Sequence, residues 1–156
     1  MIEIERKFLV TSNVFKDRAF KSTRIIQGFL NRDPERTVRI RLKGDNGVLT
    51  VKGQSSNNGL SRFEWETNIE KHEAESLLKL CENGIINKIR HEIKVGNHFF
   101  EVDEFFGDNQ GLIIAEVELQ HENESFEKPI WLGKEVTGQI KYYNSQLSKQ
   151  PYISWE

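Results

Sequence analysis

Most of this chain alternates apolar and polar residues with a period of two, the spacing of a strand that buries one face. Residues 2–9 set Ile2, Ile4 and Phe8 against Glu3, Glu5 and Lys7. Residues 37–43 set Val38, Ile40 and Leu42 against Arg39, Arg41 and Lys43. The Gly-Asp-Asn-Gly run at 44–47 predicts a hairpin turn, and the next strand opposes Leu49 and Val51 to Thr50 and Lys52. Residues 54–61 read as a polar loop, expected to be mobile. The strand pattern returns over 62–69, with Phe63 and Trp65 on one side and Arg62, Glu64 and Glu66 on the other. Ala74, Leu77, Leu78 and Cys81 then recur at helical spacing and predict a helix over about 71–82, stopped by Asn83-Gly84. Further strands are predicted at about 85–94, 98–105 and 112–119, and another over Ile25–Leu30. A short helix or turn is expected at 11–17, and a final helix from about Thr137 to Leu147. The strands come at hairpin spacings, without the strand–helix alternation of a parallel sheet. The fold class expected is mainly β with flanking helices (α+β), in a single domain over residues 1–156.

The polar faces are almost purely ionic. Charges of one sign recur two residues apart in Glu3/Glu5, Arg39/Arg41, Glu64/Glu66, Lys88/Arg90, Glu101/Asp103 and Glu116/Glu118. Like charges at that spacing share a face and repel, so nothing local favours them. The bland reading is a set of solvated outer faces. Two helices are too few, however, to cover the apolar side of so many strands in a flat sheet. A sheet closed into a barrel resolves this if the charges face the lumen and the apolar sides meet the helices or a partner subunit.

Such a lumen holds the acids Glu3, Glu5, Glu64, Glu66, Glu101, Asp103, Glu116 and Glu118, and the bases Lys7, Arg39, Arg41, Lys52, Arg62, Lys88 and Arg90. Dry, unpaired charges there would each cost several kcal/mol, so the lumen is wet, internally paired or filled by ligands of both signs. Clustered carboxylates suit hard cations such as Mg2+ or Mn2+. Clustered Arg and Lys suit phosphate oxygens. A metal-bound polyphosphate satisfies both sets.

Composition narrows the field. At 156 residues the chain fits one domain, and its net charge of −2 carries no basic excess for general nucleic-acid binding. No apolar run approaches the length of a spanning helix, and the charged start MIEIERK does not read as a signal peptide. One cysteine, Cys81, leaves no internal disulfide, so a reducing, cytoplasmic location is expected. No membrane partner and no stable nucleic-acid complex are expected; the outer apolar faces also suit a homodimer.

The ordered motifs resemble the CYTH, or triphosphate tunnel metalloenzyme, superfamily. Glu3-Ile4-Glu5-Arg6-Lys7 is similar to its ExExK signature, Arg39-Ile40-Arg41 to its RxR strand, and Leu49-Thr50-Val51-Lys52-Gly53 to its LTxKG strand. Glu64-Trp65-Glu66, Lys88-Ile89-Arg90, Glu101-Val102-Asp103 and Glu116-Val117-Glu118 resemble the strands that follow. The resemblance spans essentially the whole chain. It implies a closed eight-stranded antiparallel β-barrel tunnel and metal-dependent hydrolysis of inorganic tripolyphosphate, extending to nucleoside triphosphates. The alternatives within the family are a class IV adenylyl cyclase and a thiamine triphosphatase.

The resemblance also implies roles. Lys7, Arg39, Arg41, Lys52, Arg62, Lys88 and Arg90 would grip phosphate. Glu3, Glu5, Glu64, Glu66, Asp103, Glu116 and Glu118 would hold Mg2+ or Mn2+, with Glu64, Glu66 and Asp103 as a second set or as groups orienting the attacking water. Glu5, Lys52, Glu64 and Lys88 would be the catalytic core. Many short members have Tyr where this chain has Phe29, so any role of that hydroxyl is absent. Ile114 replaces an acid of fungal capping enzymes, which argues against an RNA triphosphatase. His72, His91, His98 and His121 lack metal-ligand spacing, and Phe99, Phe100, Phe105 and Phe106 read as core or interface. Trp131, Tyr142 and Tyr143 are expected to pack the last helix across one tunnel mouth.

Overall fold

The computed structural model describes residues 1–155. Eight strands close into an antiparallel barrel. They are β1 (Ile2–Val10), β2 (Lys21–Asn31), β3 (Arg36–Lys43), β4 (Asn46–Gly53), β5 (Ser61–Ile69), β6 (Ile86–Val95), β7 (His98–Phe105) and β8 (Ile113–Leu119). Their order around the wall is β5-β4-β3-β2-β6-β7-β8-β1, and β1 pairs back to β5. The closing seam is short: Ile2, Glu3 and Ile4 face Phe63, Arg62 and Ser61. Further along the same edge, β1 takes a ninth strand, β9 (Leu132–Glu135).

Between these two pairings the wall beside Glu5–Lys7 is made of loops. The Glu5 amide donates to the Leu60 carbonyl (3.0 Å), the Lys7 amide to Thr137 Oγ1 (2.9 Å), and the Val136 amide to the Lys7 carbonyl (2.8 Å). The two loops meet at Gly59 and Gly138, both in the left-handed region, with φ of 73° and 78°. A Cβ on Gly59 would lie 2.3 Å from the Gly138 Cα. Gly59→Ala is therefore expected to destabilise the protein by about 1–3 kcal/mol, read as a lowered midpoint in thermal or urea denaturation. An unchanged midpoint would show that the loops part freely.

Two apolar clusters hold the barrel. One covers the outer face of β1, β6, β7 and β8 with Phe8, Phe15, Ile93, Phe100, Val102, Val117 and Trp131. Its cover comes from a short 3-10 helix, Val14–Arg18, which carries Phe15, and from irregular segments carrying Phe126 and Trp131. Helix α1 (Lys71–Leu78) packs over β2, β3 and β4, starting from a capping box between Glu70 and Glu73. The second cluster lies inside. Leu9, Ile86, Phe105 and Ile114 continue the charged rows of their own strands, and at this end they meet Val136, Tyr142 and Leu147. One end of the tunnel is thus an apolar plug. Asn144 of α2 (Asn144–Lys149) stands where the plug meets the charged lumen, accepting from Lys88 Nζ at 3.1 Å.

Several expectations change. The helix expected over 137–147 is a 3-10 turn, Ile140–Tyr142, and then α2: Gly138 with its positive φ keeps a helix from starting earlier, and the extended backbone of Tyr143 breaks it in two. The helix expected to 82 ends at Leu78. Strand β2 begins at Lys21, and β9 was not foreseen in so short a run. The loop at 54–60 is knitted by Asn58 Oδ1, which accepts from the Leu60 amide and Ser56 Oγ, and by Asn58 Nδ2, which donates to Glu122. Trp131 does not cross a tunnel mouth; it packs edge-on against Phe15 and Phe100 outside the barrel. Tyr142 is in the plug and Tyr143 reaches the lumen. Among the described residues no helix is long and apolar enough to cross a membrane.

Candidate functional site

The lumen encloses a cavity of about 210 Å³ lined mainly by charged side chains. All seven predicted bases line it, together with Glu3, Glu5, Glu64, Glu66, Glu101, Glu116 and Glu118. The strand registers bring them together. Glu5 faces Glu118, and Lys7 faces Glu116, across β1–β8; Lys52 faces Glu64 across β4–β5; Arg90 faces Asp103 across β6–β7.

The two signs are partly segregated. Glu3, Glu5, Glu64 and Glu118 crowd on β1, β5 and β8. Burial first, then Glu116 and Glu3, push the Glu5 carboxyl well above the usual carboxylate range. Glu118 is pushed up by burial and by Glu3, Glu101 and Glu64. Glu64 is raised by burial and Glu3 against the pull of Lys52. Burial also opposes the Glu3 charge, yet Lys52 Nζ, 3.0 Å from Glu3 and 3.2 Å from Glu64, holds Glu3 below the usual range.

The cationic side lies on β3 and β6. Burial, then Arg39 and Arg90, pull the Arg41 guanidinium down to about 9. Burial and Arg90 likewise lower Arg39. Both arginines lean on one carboxylate, Glu66, at 2.9 Å from Arg41 and 3.8 Å from Arg39. Their Nε groups are buried without a hydrogen-bond partner. Crowded cations with unsatisfied donors are the electrostatic counterpart of a missing anion. Lys43 continues this row into the cavity and is lowered by burial, Arg41 and Arg90. It went unassigned on sequence, although the period of two places it beside Arg41.

Three predicted residues do something narrower than expected. Asp103 is buried with both oxygens engaged: Arg90 grips it bidentately at 2.8 Å and 2.8 Å, and Lys88 Nζ lies at 2.8 Å. These cations hold its carboxyl down to about 2 in spite of burial. Asp103 is a counter-ion that fixes Lys88 and Arg90, and both of its oxygens are already paired. Lys88 is itself fully buried and pulled down to about 8, chiefly by burial. Arg62 donates to the Gly53 carbonyl at 3.0 Å and leans toward Thr37, so its grip on the loop base accompanies any contact with ligand.

The acid cluster fits a hard divalent cation by donor chemistry. Glu3, Glu5, Glu116 and Glu118 offer only carboxylate oxygen, and their mutual repulsion is what a cation would discharge. Among the described residues no three acidic, His or Cys side chains already converge at ligating geometry. Two of the four rest on bases instead: Glu3 on Lys52, and Glu116 at 3.7 Å from both Lys7 and Arg90.

Phe29 lines the cavity opposite Arg39, a buried ring with no hydroxyl to offer. Cys81 lies outside the barrel against Gly28, its thiol pushed up by burial. Among the described residues no histidine lines the tunnel; His91 sits on the outer face between Ser22 and Glu104.

A family model described as the CYTH domain matches residues 1–151. A protein of Acetivibrio thermocellus named inorganic triphosphatase is 46% identical over 155 residues, covering 99% of this chain and 97% of that one. One of Nitrosomonas europaea with the same name is 35% identical over 152 residues, covering 95% and 97%. The crystal structure of the inorganic triphosphatase NE1496 superposes with a TM-score of 0.67 at 32% identity, over 94% of this chain and 97% of that one. A Hippeastrum protein described as a putative adenylyl cyclase with dominant triphosphatase activity shares the fold at a TM-score of 0.60 and 14% identity, over 76% and 80%.

Proposed function

The chain belongs to the CYTH domain family, and from that membership we propose that it hydrolyses inorganic tripolyphosphate to pyrophosphate and orthophosphate with the help of a divalent cation. The observation that carries this reading is one cavity, closed at one end by apolar side chains, whose walls divide into a carboxylate side and a guanidinium–ammonium side. Simple anion capture needs only the second.

The phosphate chain lies along the basic wall. Arg39, Arg41 and Lys43 contact it from β3, Lys88 and Arg90 from β6, and Lys7 and Lys52 from the acid side. Their charge offsets that of the leaving pyrophosphate as the terminal P–O bond lengthens. Asp103 keeps Lys88 and Arg90 aimed inward. Glu3, Glu5, Glu116 and Glu118 would hold Mg2+ or Mn2+, which when bound would supply Lewis-acid polarisation of phosphate oxygens and a lowered pKa for water. Glu64, its carboxyl raised by burial and by Glu3 and reached by Lys52, accepts the proton of the attacking water.

Arg41→Ala removes a hydrogen-bonding cation from the phosphate site. It is expected to raise KM for tripolyphosphate on the order of 10–100-fold, checked by steady-state orthophosphate release. A KM within twofold of the parent would remove Arg41 from the phosphate site.

The reaction class is tested with ATP and Mg2+ or Mn2+, all products being identified chromatographically. Hydrolysis gives ADP and orthophosphate without cyclic AMP. Cyclic AMP with stoichiometric pyrophosphate would make the protein a cyclase and overturn the proposal.

A further inference from the structure

The plug leaves a bound triphosphate one way to extend. A second, more open depression is lined by Glu92, Phe99, Glu101, Glu118 and His121 among others. It shares Glu101 and Glu118 with the tunnel cavity, so the two adjoin at the end away from the plug. Phe99 belongs to the same strand face as Glu101 and Asp103, one step of about 7 Å outward from Glu101. It was expected to be core or interface. Its neighbour Phe100 is core, but Phe99 is 55% exposed. Phe20, 59% exposed, meets it edge-on with ring centroids 5.8 Å apart. Lys94 Nζ lies 5.9 Å from the Phe99 centroid. Two exposed phenyl rings thus brace each other, Phe99 lining the depression and Phe20 supporting it from beside the lining. Aromatic faces exposed beside a phosphate-binding channel are the means by which proteins take up bases of any identity, since each base offers a π-face.

We propose that Phe99, braced by Phe20, is a stacking platform for the base of a nucleoside triphosphate whose phosphate chain lies in the tunnel. This rests on the triphosphatase reading and adds to it a residue that separates nucleotides from inorganic substrate. Tripolyphosphate ends inside the charged lumen and gains nothing from the rim. A nucleotide gains one stacked ring, with no hydrogen-bonding group of Phe99 to select among bases.

The test compares Phe99→Ala, Phe99→Trp and Phe20→Ala with the parent on tripolyphosphate, ATP and GTP. Where nucleotide turnover is slow, the nucleotide is assayed as a competitive inhibitor of tripolyphosphate hydrolysis. Phe99→Ala is expected to lower kcat/KM for ATP and GTP alike, or weaken their inhibition, by about tenfold. Tripolyphosphate hydrolysis stays within twofold. Phe99→Trp retains or improves nucleotide use, and Phe20→Ala loses less than Phe99→Ala. Equal losses on all substrates would make Phe99 merely structural and overturn the proposal. So would an unchanged nucleotide response, or nucleotides that neither react nor compete in the parent. A parent inactive on tripolyphosphate would instead strike the underlying triphosphatase reading.

Discussion

Glu118→Ala is expected to lower kcat for tripolyphosphate on the order of a thousandfold while leaving its affinity, measured with the metal chelated, within a few-fold of the parent. Glu118 sits in the cavity among Glu3, Glu64 and Glu101, which together with burial push its carboxyl up. Among the described residues it forms no ion pair within 4.0 Å, so removing it breaks no salt bridge. The folded protein loses a repulsion, and its melting temperature should hold or rise slightly. What it loses chemically is a carboxylate oxygen facing Glu5 across β1–β8. Glu3→Ala should lose as much activity, but it also frees Lys52 from a 3.0 Å contact and is the less clean variant. A stable Glu118→Ala protein with full turnover would mean that the carboxylate wall is not the metal wall.

Asp103→Ala is expected to destabilise the protein by about 3–5 kcal/mol, the cost of leaving a buried charge without its partner. Buried Lys88 is left with no carboxylate within 4.0 Å, while Arg90 keeps Glu101 at 3.2 Å and Glu116 at 3.7 Å. Asp103→Asn keeps the shape and some hydrogen bonds but not the charge, and should fall between. The pH dependence follows from the same pair of contacts. The Asp103 carboxyl is held down to about 2 in the folded state, so the unfolded chain takes up its proton first. The stability that Asp103 contributes is therefore full above about pH 4, near the ordinary aspartate value, and is lost as pH falls toward about 2. Urea denaturation of parent and Asp103→Asn between pH 3 and 7 checks this: the gap between them should narrow on acidification. A gap constant across that range would place the stability elsewhere.

What could be read in the sequence was what period two encodes. The alternation of Arg39 and Arg41 with Ile40, or of Glu116 and Glu118 with Val117, states which residues share a face, and closure of the sheet follows once both faces need cover. Extended one step, the same rule reaches Lys43, which the structure places in the lumen and the sequence reading left out. It also hid the plug, because Ile86, Phe105 and Ile114 occupy lumen positions yet are apolar, and a strand pattern does not announce where a tunnel stops. Asp103 was indistinguishable from a metal-seeking acid until the register of β6 and β7 set it against Arg90. Strand β9 is four residues long, and its place beside β1 depends on β5 having already left that edge. Phe99 and Phe100 read alike as letters; which of them is buried depends on the lumen continuing outward past Glu101.

The most direct test follows chelator-treated protein and tripolyphosphate by phosphorus NMR before and after addition of Mg2+, then Mn2+. No change before metal, followed by equal release of orthophosphate and pyrophosphate after it, is the predicted result. Tripolyphosphate that binds but persists with either metal, or is cleaved at the same rate without one, would contradict the account.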